Sequence, residues 1–235
     1  MEKETFESPT LRALGIEKLP FGNDIVLTGP PGIGKSIFCT NVICDCLKQE
    51  NQNNVVFATF DVSPKDLRVR LSEQYPEGNG FEKIIFIDGY SWLLGEINEK
   101  YHVSHLSNLN DLSVKIHKSL NDEKQHHILF FDSISTLFVY NQENEIIRFL
   151  QINMARIKQS NSIAFWTVGE KIHTPEFYNF LRHLADGTIE MRFEENSELK
   201  RFIRIHTLKG LGHKTKWLPF NIQGNGRFII NTEAC

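Results

Sequence analysis

The sequence predicts an α/β fold in which a mostly parallel central sheet is flanked by helices and is continued by a C-terminal antiparallel extension. Two observations support this fold class. Over the first three quarters of the chain, short apolar runs alternate with helix-compatible segments, which is typical of βαβ units around a parallel sheet. From Gly187 onwards, the pattern changes to alternating strands joined by turns, and such strands pair antiparallel.

The composition is that of an ordered globular protein. Hydrophobic residues make up 40% of the 235 residues and charged residues 23%, and we expect one domain over residues 10–235 preceded by a flexible arm over residues 1–9. A net charge of −3 provides no general attraction to nucleic acid or to an anionic membrane. The sequence has no apolar run long enough to cross a bilayer and begins with charged residues, so we expect a cytoplasmic protein.

A glycine-rich loop follows the first predicted strand of the sheet, Ile25–Thr28, which comes after a short helix predicted over residues 10–19. The loop fits the P-loop pattern G-x-x-x-x-G-K-[ST], and its residues are Gly29, Pro30, Pro31, Gly32, Ile33, Gly34, Lys35 and Ser36. Glycines allow successive backbone N–H groups to surround phosphate oxygens, and the helix predicted over residues 37–47 adds a favourable dipole. Lys35 is expected to reach the β- and γ-phosphates of a nucleotide, and the Ser36 hydroxyl to bind Mg²⁺.

Three of the four cysteines, Cys39, Cys44 and Cys46, fall on this P-loop helix. Their spacing is unlike a disulfide framework or a C-x-x-C zinc pair. We therefore predict small buried thiols in a reducing compartment.

The remaining elements follow from apolar runs and their spacing. Four further runs predict the other parallel strands, over residues 55–60, 84–87, 128–131 and 163–168. Helices are predicted after a capping Ser63 and over residues 111–120, 143–159 and 176–184. Residues 92–109 are predicted to form an irregular insertion or lid. The C-terminal strands are predicted over residues 188–192, 202–208, 217–222 and 228–230.

Acidic residues follow three of the predicted parallel strands. Because ligands of an open parallel sheet bind beyond the carboxyl ends of its strands, these acids are expected to face the P-loop. Asp132 follows an apolar strand as a Walker B aspartate does, and we predict that it holds Mg²⁺ through water. Asp61 either orients or deprotonates the attacking water, or is an N-cap or Asx-turn residue before Pro64. Asp88, before Gly89, is predicted to be a turn residue.

The last quarter of the chain is basic. From Leu199 to Thr232 there are seven basic residues and no acid, namely Lys200, Arg201, Arg204, Lys209, Lys214, Lys216 and Arg227. They form solvated faces of strands, or supply a cation to the γ-phosphate site of a neighbouring subunit, or bind nucleic acid. Trp217, Phe220 and Phe228 would support the third interpretation but are better explained as core of the extension.

These motifs together resemble the KaiC-like branch of the RecA-like P-loop ATPases, of the single-domain archaeal type, over about Leu11–Ile230. Residues 58–64 are similar to the second-strand motif V-T-F-E-E-[ST]-P, and Asp61 falls on its first glutamate, the family's water-activating base. Residues 132–135 are similar to the Walker B motif D-S-[IL]-[ST], and residues 185–189 to A-D-[GN]-x-I.

A further family motif, K-x-R-G-x-x-H, falls on residues 207–213. In the family this motif contacts ATP bound to the neighbouring subunit. The resemblance therefore implies a homo-oligomer in which ATP is also contacted across the interface by Thr207, Leu208, Lys209, Leu211 and His213. Lys209 replaces the arginine, which keeps the charge but not the bidentate geometry.

Residues and resemblance together predict a Mg²⁺-dependent ATP-binding protein that is a slow ATPase and a nucleotide-dependent switch in signal transduction. Lys35, Asp61 and Lys209 are its predicted catalytic residues, and its partner is an unidentified regulatory protein, with no membrane and no nucleic acid. The alternatives are an ATP-binding interaction module that does not hydrolyse ATP, and a DNA-recombination accessory ATPase. Hydrolysis is expected to be slow because aspartate is shorter than glutamate, and a misplacement of about 1 Å can cost on the order of 10²-fold in rate.

Overall fold

The computed structural model describes residues 4–49, 53–76, 80–121, 126–195 and 198–231. Its α-helices are α1 (Pro9–Ala13), α2 (Lys35–Leu47), α3 (Pro64–Gln74), α4 (Leu109–Ser119), α5 (Ile134–Leu137), α6 (Glu143–Gln159) and α7 (Pro175–Leu184). Its strands are β1 (Thr5–Phe6), β2 (Leu19–Pro20), β3 (Asn23–Gly29), β4 (Asn54–Thr59), β5 (Ile85–Asp88), β6 (Tyr101–His102), β7 (His127–Asp132), β8 (Ile163–Gly169), β9 (Gly187–Glu195), β10 (Leu199–Leu208), β11 (Leu218–Ile222) and β12 (Phe228–Ile230). No helix within these ranges is long and apolar enough to span a membrane.

Ten of these strands form one sheet in the order β12-β11-β10-β9-β3-β8-β7-β4-β5-β6. Neighbouring strands from β9 to β6 are parallel, whereas β9 to β12 pair antiparallel. The predicted α/β fold, with its antiparallel extension, is therefore confirmed. Because β3, β8, β7 and β4 run in the same direction, their carboxyl ends lie at one edge of the sheet, where the P-loop begins.

Both faces of the sheet are covered, as is usual for parallel strands. On one face, Ile25 and Leu27 of β3 pack in a cluster that includes side chains of α2 and α3. On the other face, Val26 packs with side chains of α4, α6 and α7. The cysteines of α2 are buried free thiols, as predicted, and burial raises the pKa of Cys44 to about 12.

Local sequence signals explain where the helices begin. The Ser63 hydroxyl accepts the backbone N–H of Asp66 at 3.1 Å, and Pro64 occupies the first turn of α3, as predicted. At the start of α6, the Glu145 carboxylate accepts the backbone N–H of Gln142 at 3.0 Å. The buried stripe of α6 faces α4 and the sheet. The predicted bounds 143–159 agree with those of the structure.

The N-terminal segment differs from the sequence-based expectation. Residues 4–9, predicted to be a loose arm, pack onto the domain through β1, which pairs antiparallel with β2. Phe6 is 1% exposed, and the Ser8 hydroxyl donates to Asp45 on α2. Burial of one phenylalanine and capping of α1 by Ser8 fix this segment, whereas residues 1–3 lie outside the described ranges.

Part of the segment over residues 92–109 differs from the expected irregular insertion or lid. Its middle forms β6, which extends the edge of the sheet beside β5, and Val103 and Leu106 are buried in the core. A strand of two residues is too short to show periodicity, so the sequence pattern did not indicate it.

A buried carboxyl group lies at the amino end of β3. Asp24 is 0% exposed, and its Oδ1 accepts the indole N–H of Trp166 at 2.8 Å. Its Oδ2 has no hydrogen-bond partner among the described residues. Burial raises the pKa of Asp24 well above its ordinary value, and the nearby carboxylate of Asp186 adds to this rise, which the Trp166 bond and Lys158 oppose.

We expect Asp24→Asn to stabilise the protein more at pH 8 than at pH 5. The folded-state pKa of Asp24 lies above the unfolded value, so its neutral form supports folding at low pH. That contribution falls by up to about 1.4 kcal/mol per pH unit as pH rises from the unfolded towards the folded pKa. Asparagine keeps the acceptor for Trp166 and does not ionise. Urea unfolding of both proteins at the two pH values measures the difference, and an equal effect at both would contradict it.

Candidate functional site

The P-loop joins β3 to α2 at the carboxyl edge of the sheet. Gly32 and Gly34 have φ angles of 74° and 115°, in the left-handed region that glycine adopts without steric cost. Gly34 is the N-cap of α2, whose first N–H groups have no partner within the helix. A Cβ on Gly29 would lie 2.9 Å from the Cβ of Met191, and Ile33 is fully buried beneath the loop. The loop therefore has the backbone freedom that a phosphate cradle requires.

Lys35 lies across this loop at the start of α2. Its Nζ donates to the backbone oxygens of Gly29 at 2.8 Å and Pro30 at 3.0 Å. Burial lowers the pKa of Lys35, and the charge of Asp132 opposes that shift. The ammonium group is thus held among loop carbonyls, next to the groups that would surround a phosphate.

Asp132 joins the P-loop helix to two neighbouring strands. Its Oδ2 accepts the Ser36 hydroxyl at 2.5 Å, and its Oδ1 accepts the Thr167 hydroxyl at 2.5 Å. This arrangement is possible because β8, which carries Thr167, lies between β3 and β7. The structure therefore brings together Ser36 and Asp132, the two residues predicted to bind a metal.

The donors at this point suit Mg²⁺. A hydroxyl and a carboxylate are hard oxygen ligands, and Mg²⁺ usually takes one or two protein ligands while water and phosphates complete its shell. Within the described residues, no group of three or more His, Cys, Asp or Glu side chains is placed to hold a metal alone. Ser36 and Asp132 fit an ion that is shared with a bound nucleotide.

Asp61 follows β4 and faces the residues that follow β7. The Thr136 hydroxyl donates to its two carboxylate oxygens at 3.0 and 2.9 Å. The side chain is reachable from solvent, but neighbouring atoms desolvate it enough to raise its pKa, and the charge of Asp132 contributes to the rise. Ser63, not Asp61, is the N-cap of α3, so the interpretation of Asp61 as an N-cap is wrong.

Asp88, the third strand-end acid, lies outside this group. Its Oδ1 accepts the backbone N–H groups of Tyr90 and Ser91 at 2.9 Å each, and it is 2% exposed. Asp88 therefore stabilises a turn, as predicted.

The segment over residues 207–213 lies at the opposite edge of the sheet from the P-loop of the same chain. Leu208 pairs with Gly187, which lies beside Ile25 near the amino end of β3. Four residues of strand separate Ile25 from Gly29, which is about 13 Å at 3.3 Å per residue. The structure therefore does not bring this segment to the P-loop of the same chain.

The side chains of this segment make local contacts. The Nζ of the exposed Lys209 donates to the backbone oxygen of His183 at 2.8 Å, and its backbone N–H donates to that of Asp186 at 2.7 Å. The His213 Nδ1 lies 3.0 Å from the Leu211 oxygen. Thr207 is exposed beside a register shift in the pairing of β10 with β9.

Several basic and aromatic residues of the extension have structural partners. Arg204 donates through Nε and Nη2 to Glu190 at 3.0 and 2.7 Å, and its guanidinium lies 4.4 Å from the Trp217 ring centroid. Phe220 and Phe228 are buried and stacked at 4.4 Å. Phe220 and Phe228 thus belong to the core of the extension, as predicted, whereas Trp217 is only half-buried and lies against the guanidinium groups of Arg192 and Arg204.

Two further hydroxyl residues lie at the site: Ser135 falls within the Walker B resemblance over residues 132–135, and Thr136 was not indicated by the sequence. Thr136 contacts Asp61, and the Ser135 hydroxyl accepts the backbone N–H of Gly169 at 2.9 Å and lies 2.8 Å from the His173 Nε2. Both are on α5, a single helical turn directly after β7 that the sequence did not predict. The run of hydroxyl residues after Asp132 was the available signal, but such residues are common wherever helices begin.

Comparisons with known proteins agree with this geometry. Residues 10–234 match the family described as the KaiC ATPase. The UPF0273 protein MJ1359 of Methanocaldococcus jannaschii is 26% identical over 218 residues, which cover 90% of this chain and 89% of that protein. A UPF0273 protein of Thermotoga maritima is 22% identical over 224 residues, covering 92% of this chain and 90% of its own length.

The fold also matches a solved structure. The crystal structure of the KaiC-like protein PH0186 from Pyrococcus horikoshii OT3 superposes with a TM-score of 0.75 at 20% identity. The match covers 98% of this chain and 100% of that chain. At this identity the likeness shows the shared fold.

Proposed function

The chain belongs to the KaiC ATPase family, and we propose from this membership that it binds ATP with Mg²⁺ at its P-loop and hydrolyses it slowly. One observation carries the proposal: Asp132 accepts both the Ser36 and the Thr167 hydroxyls at 2.5 Å. This contact places two hard oxygen ligands beside Lys35 at the start of α2. The N–H groups that would hold phosphate, the Lys35 ammonium group and the proposed metal ligands then converge at the N-terminus of α2.

The residues of the site divide the work of binding and catalysis. The P-loop N–H groups and Lys35 hold the phosphates, while Ser36 and Asp132 would hold Mg²⁺, which neutralises phosphate charge when it is bound. Asp61 accepts a proton from the attacking water or orients that water towards the γ-phosphate. Its side chain is one methylene shorter than that of glutamate, so we expect tight binding of ATP and slow hydrolysis.

We further propose that the nucleotide state regulates an interaction with a protein partner. A slow ATPase remains in its ATP-bound form for long enough to act as a switch. An interaction module that binds ATP without cleaving it is the second candidate, favoured by the short side chain of Asp61. Phosphate release at saturating Mg·ATP separates the two, since a module of that kind releases none above the level of a Lys35→Ala variant.

DNA binding is the weaker alternative. Arg204 is engaged with Glu190, and Phe220 and Phe228 are buried, which leaves the extension without free stacking aromatics at those positions. Retardation of a single-stranded DNA oligonucleotide at low salt, lost as salt rises, would support this alternative.

Active sites shared between subunits are our third proposal, supported by the distance between Lys209 and the P-loop of its own chain. We expect the phosphate-release rate per subunit to rise with protein concentration. We also expect Lys35→Ala and Lys209→Ala proteins, each impaired alone, to regain activity when mixed. Random assembly of equal amounts would give about one site in four with an intact P-loop and an intact Lys209.

The control for the mixing experiment is Lys65→Ala, on the exposed side of α3. Mixed with Lys35→Ala, it should give only the activity of its own subunits. A flat rate per subunit, together with no recovery in the Lys35→Ala and Lys209→Ala mixture, would remove Lys209 from the mechanism.

A further inference from the structure

We propose that Thr136 is a positioning residue, which holds the Asp61 carboxylate in the orientation that catalysis requires. This inference rests on the proposed ATPase function, because it assigns Thr136 a role only through Asp61. It concerns a residue that the P-loop and Walker B patterns do not include.

The contact is bidentate on the carboxylate side. The Oγ1 of Thr136 lies 3.0 and 2.9 Å from the two oxygens of Asp61, so its single proton is shared between them. Ionised Asp61 has no proton to give, so Thr136 must be the donor. The Ser133 hydroxyl lies 3.1 Å from the same Thr136 oxygen and can then donate to it. A chain of hydroxyls therefore leads from Ser133 through Thr136 to Asp61.

The position of Thr136 explains why this contact matters. Thr136 lies on α5, four residues after Asp132, and Asp61 follows the neighbouring strand β4. The hydrogen bond thus ties the proposed base to the strand that carries the metal ligand. A short aspartate on an exposed turn has few other restraints, and within the described contacts Thr136 is the side chain that hydrogen-bonds to it.

The energetic size of the contact fits a positioning role. A hydrogen bond to a charged group contributes about 1.5–3 kcal/mol, which corresponds to roughly ten- to a hundredfold in rate if it is needed in the transition state. Hydrogen bonding to the charged form also lowers a carboxyl pKa. Thr136 therefore counteracts the rise that burial and the Asp132 charge impose on the pKa of Asp61.

The test compares Thr136→Val with Thr136→Ser. Valine keeps the branched shape and removes the hydroxyl, whereas serine keeps the hydroxyl. We expect Thr136→Val to reduce single-turnover phosphate release about tenfold or more, to leave the Kd for Mg·ATP unchanged, and to move the acid limb of the pH–rate profile to higher pH. We expect Thr136→Ser to restore the rate and the profile.

The matched control is Thr174→Val. The Thr174 hydroxyl donates to both carboxylate oxygens of Glu143, at 3.0 and 2.8 Å, as Thr136 does to Asp61, and it also accepts the backbone N–H of Phe177 at 3.2 Å as the N-cap of α7. This variant should keep the wild-type rate per folded molecule and the wild-type pH profile. The comparison separates loss of a hydroxyl–carboxylate contact in general from loss of the one at Asp61.

Each outcome supports or overturns the inference. A wild-type rate and pH profile in Thr136→Val, while Asp61→Asn is inactive, would overturn the role of Thr136 and leave the proposed function intact. A reduced rate with weakened ATP binding and no rescue by serine would mark Thr136 as merely structural. Absence of Lys35-dependent phosphate release from the wild-type protein would overturn the proposed function and this inference together.

Discussion

Replacing Lys35 with alanine is expected to weaken Mg·ATP binding at least a hundredfold and to abolish phosphate release. In the structure the Lys35 Nζ donates to two neutral carbonyl oxygens of its own loop, at Gly29 and Pro30. A bound nucleotide offers charged phosphate oxygens in their place. Two hydrogen bonds to charged groups, each worth about 1.5–3 kcal/mol, account for roughly a hundredfold or more in Kd. Isothermal titration with Mg·ATP and a phosphate-release assay measure the two effects.

The matched control for this substitution is Lys48→Ala. Lys48 is exposed at the other end of the same helix, so it should keep wild-type affinity. Thermal unfolding should show that the Lys35→Ala protein is folded, because burial already lowers the pKa of Lys35 and so disfavours its charge. If Lys35→Ala is folded and binds Mg·ATP as the wild type does, the nucleotide binds somewhere other than the P-loop.

The central strands and long helices were predictable from the sequence because their burial is nearly complete. Strand β4 contains a continuous apolar run, and all its residues after Asn54 are buried. It could therefore be predicted without deciding which of its two faces packs against the core. Helix α6 has a stripe of buried residues at three- and four-residue spacing, and the stripe is long enough to predict bounds at Glu143 and Gln159. In these segments local pattern and tertiary environment agree.

The parts that were not predictable depend on contacts distant in sequence. Strand β1 has two residues, and its position follows from the burial of Phe6 and from pairing with β2. The buried carboxyl of Asp24 is hydrogen-bonded by Trp166, 142 residues away, so no local pattern indicated this contact. Neither feature has a local pattern, and each is determined by packing.

The candidate site shows the same division. The P-loop and Asp132 followed from a motif and from the rule that parallel strands place their carboxyl ends at one edge. Thr136 was not indicated, because its role depends on the side chain of Asp61, 75 residues earlier. The separation between Lys209 and the P-loop required the strand order, since β10 returns antiparallel to β9 and places its end beside the amino end of β3.

In the proposed mechanism, the balance between holding ATP and cleaving it depends on Asp61. The proposed metal ligands, Ser36 and Asp132, are hydrogen-bonded to each other, Asp132 also accepts from Thr167, and neither bond involves Asp61. Asp61 follows β4, which lies on the side of β7 away from β8, and it contacts Thr136 instead. Binding and hydrolysis should therefore be separable by substitution.

Replacing Asp61 with asparagine is expected to leave the Kd for Mg·ATP nearly unchanged and to reduce phosphate release by about 10²-fold or more, the lower range of what a positioned acid or base contributes. Asparagine keeps the size and can still accept from Thr136, but it cannot take a proton from water. Asp61→Glu is the matched control, because it keeps the charge and extends the carboxylate by one methylene. We expect it to retain hydrolysis.

The wild-type pH profile provides a second measure of the same role. Burial raises the pKa of Asp61, so the base becomes protonated, and phosphate release falls, at higher pH than for an ordinary aspartate with a pKa of about 3.9. This acid limb should be absent from the residual activity of Asp61→Asn, since asparagine does not titrate. Equal rates in Asp61→Asn and wild type, with the acid limb retained, would assign the base to another group, and Asp61 would then be only a partner of Thr136.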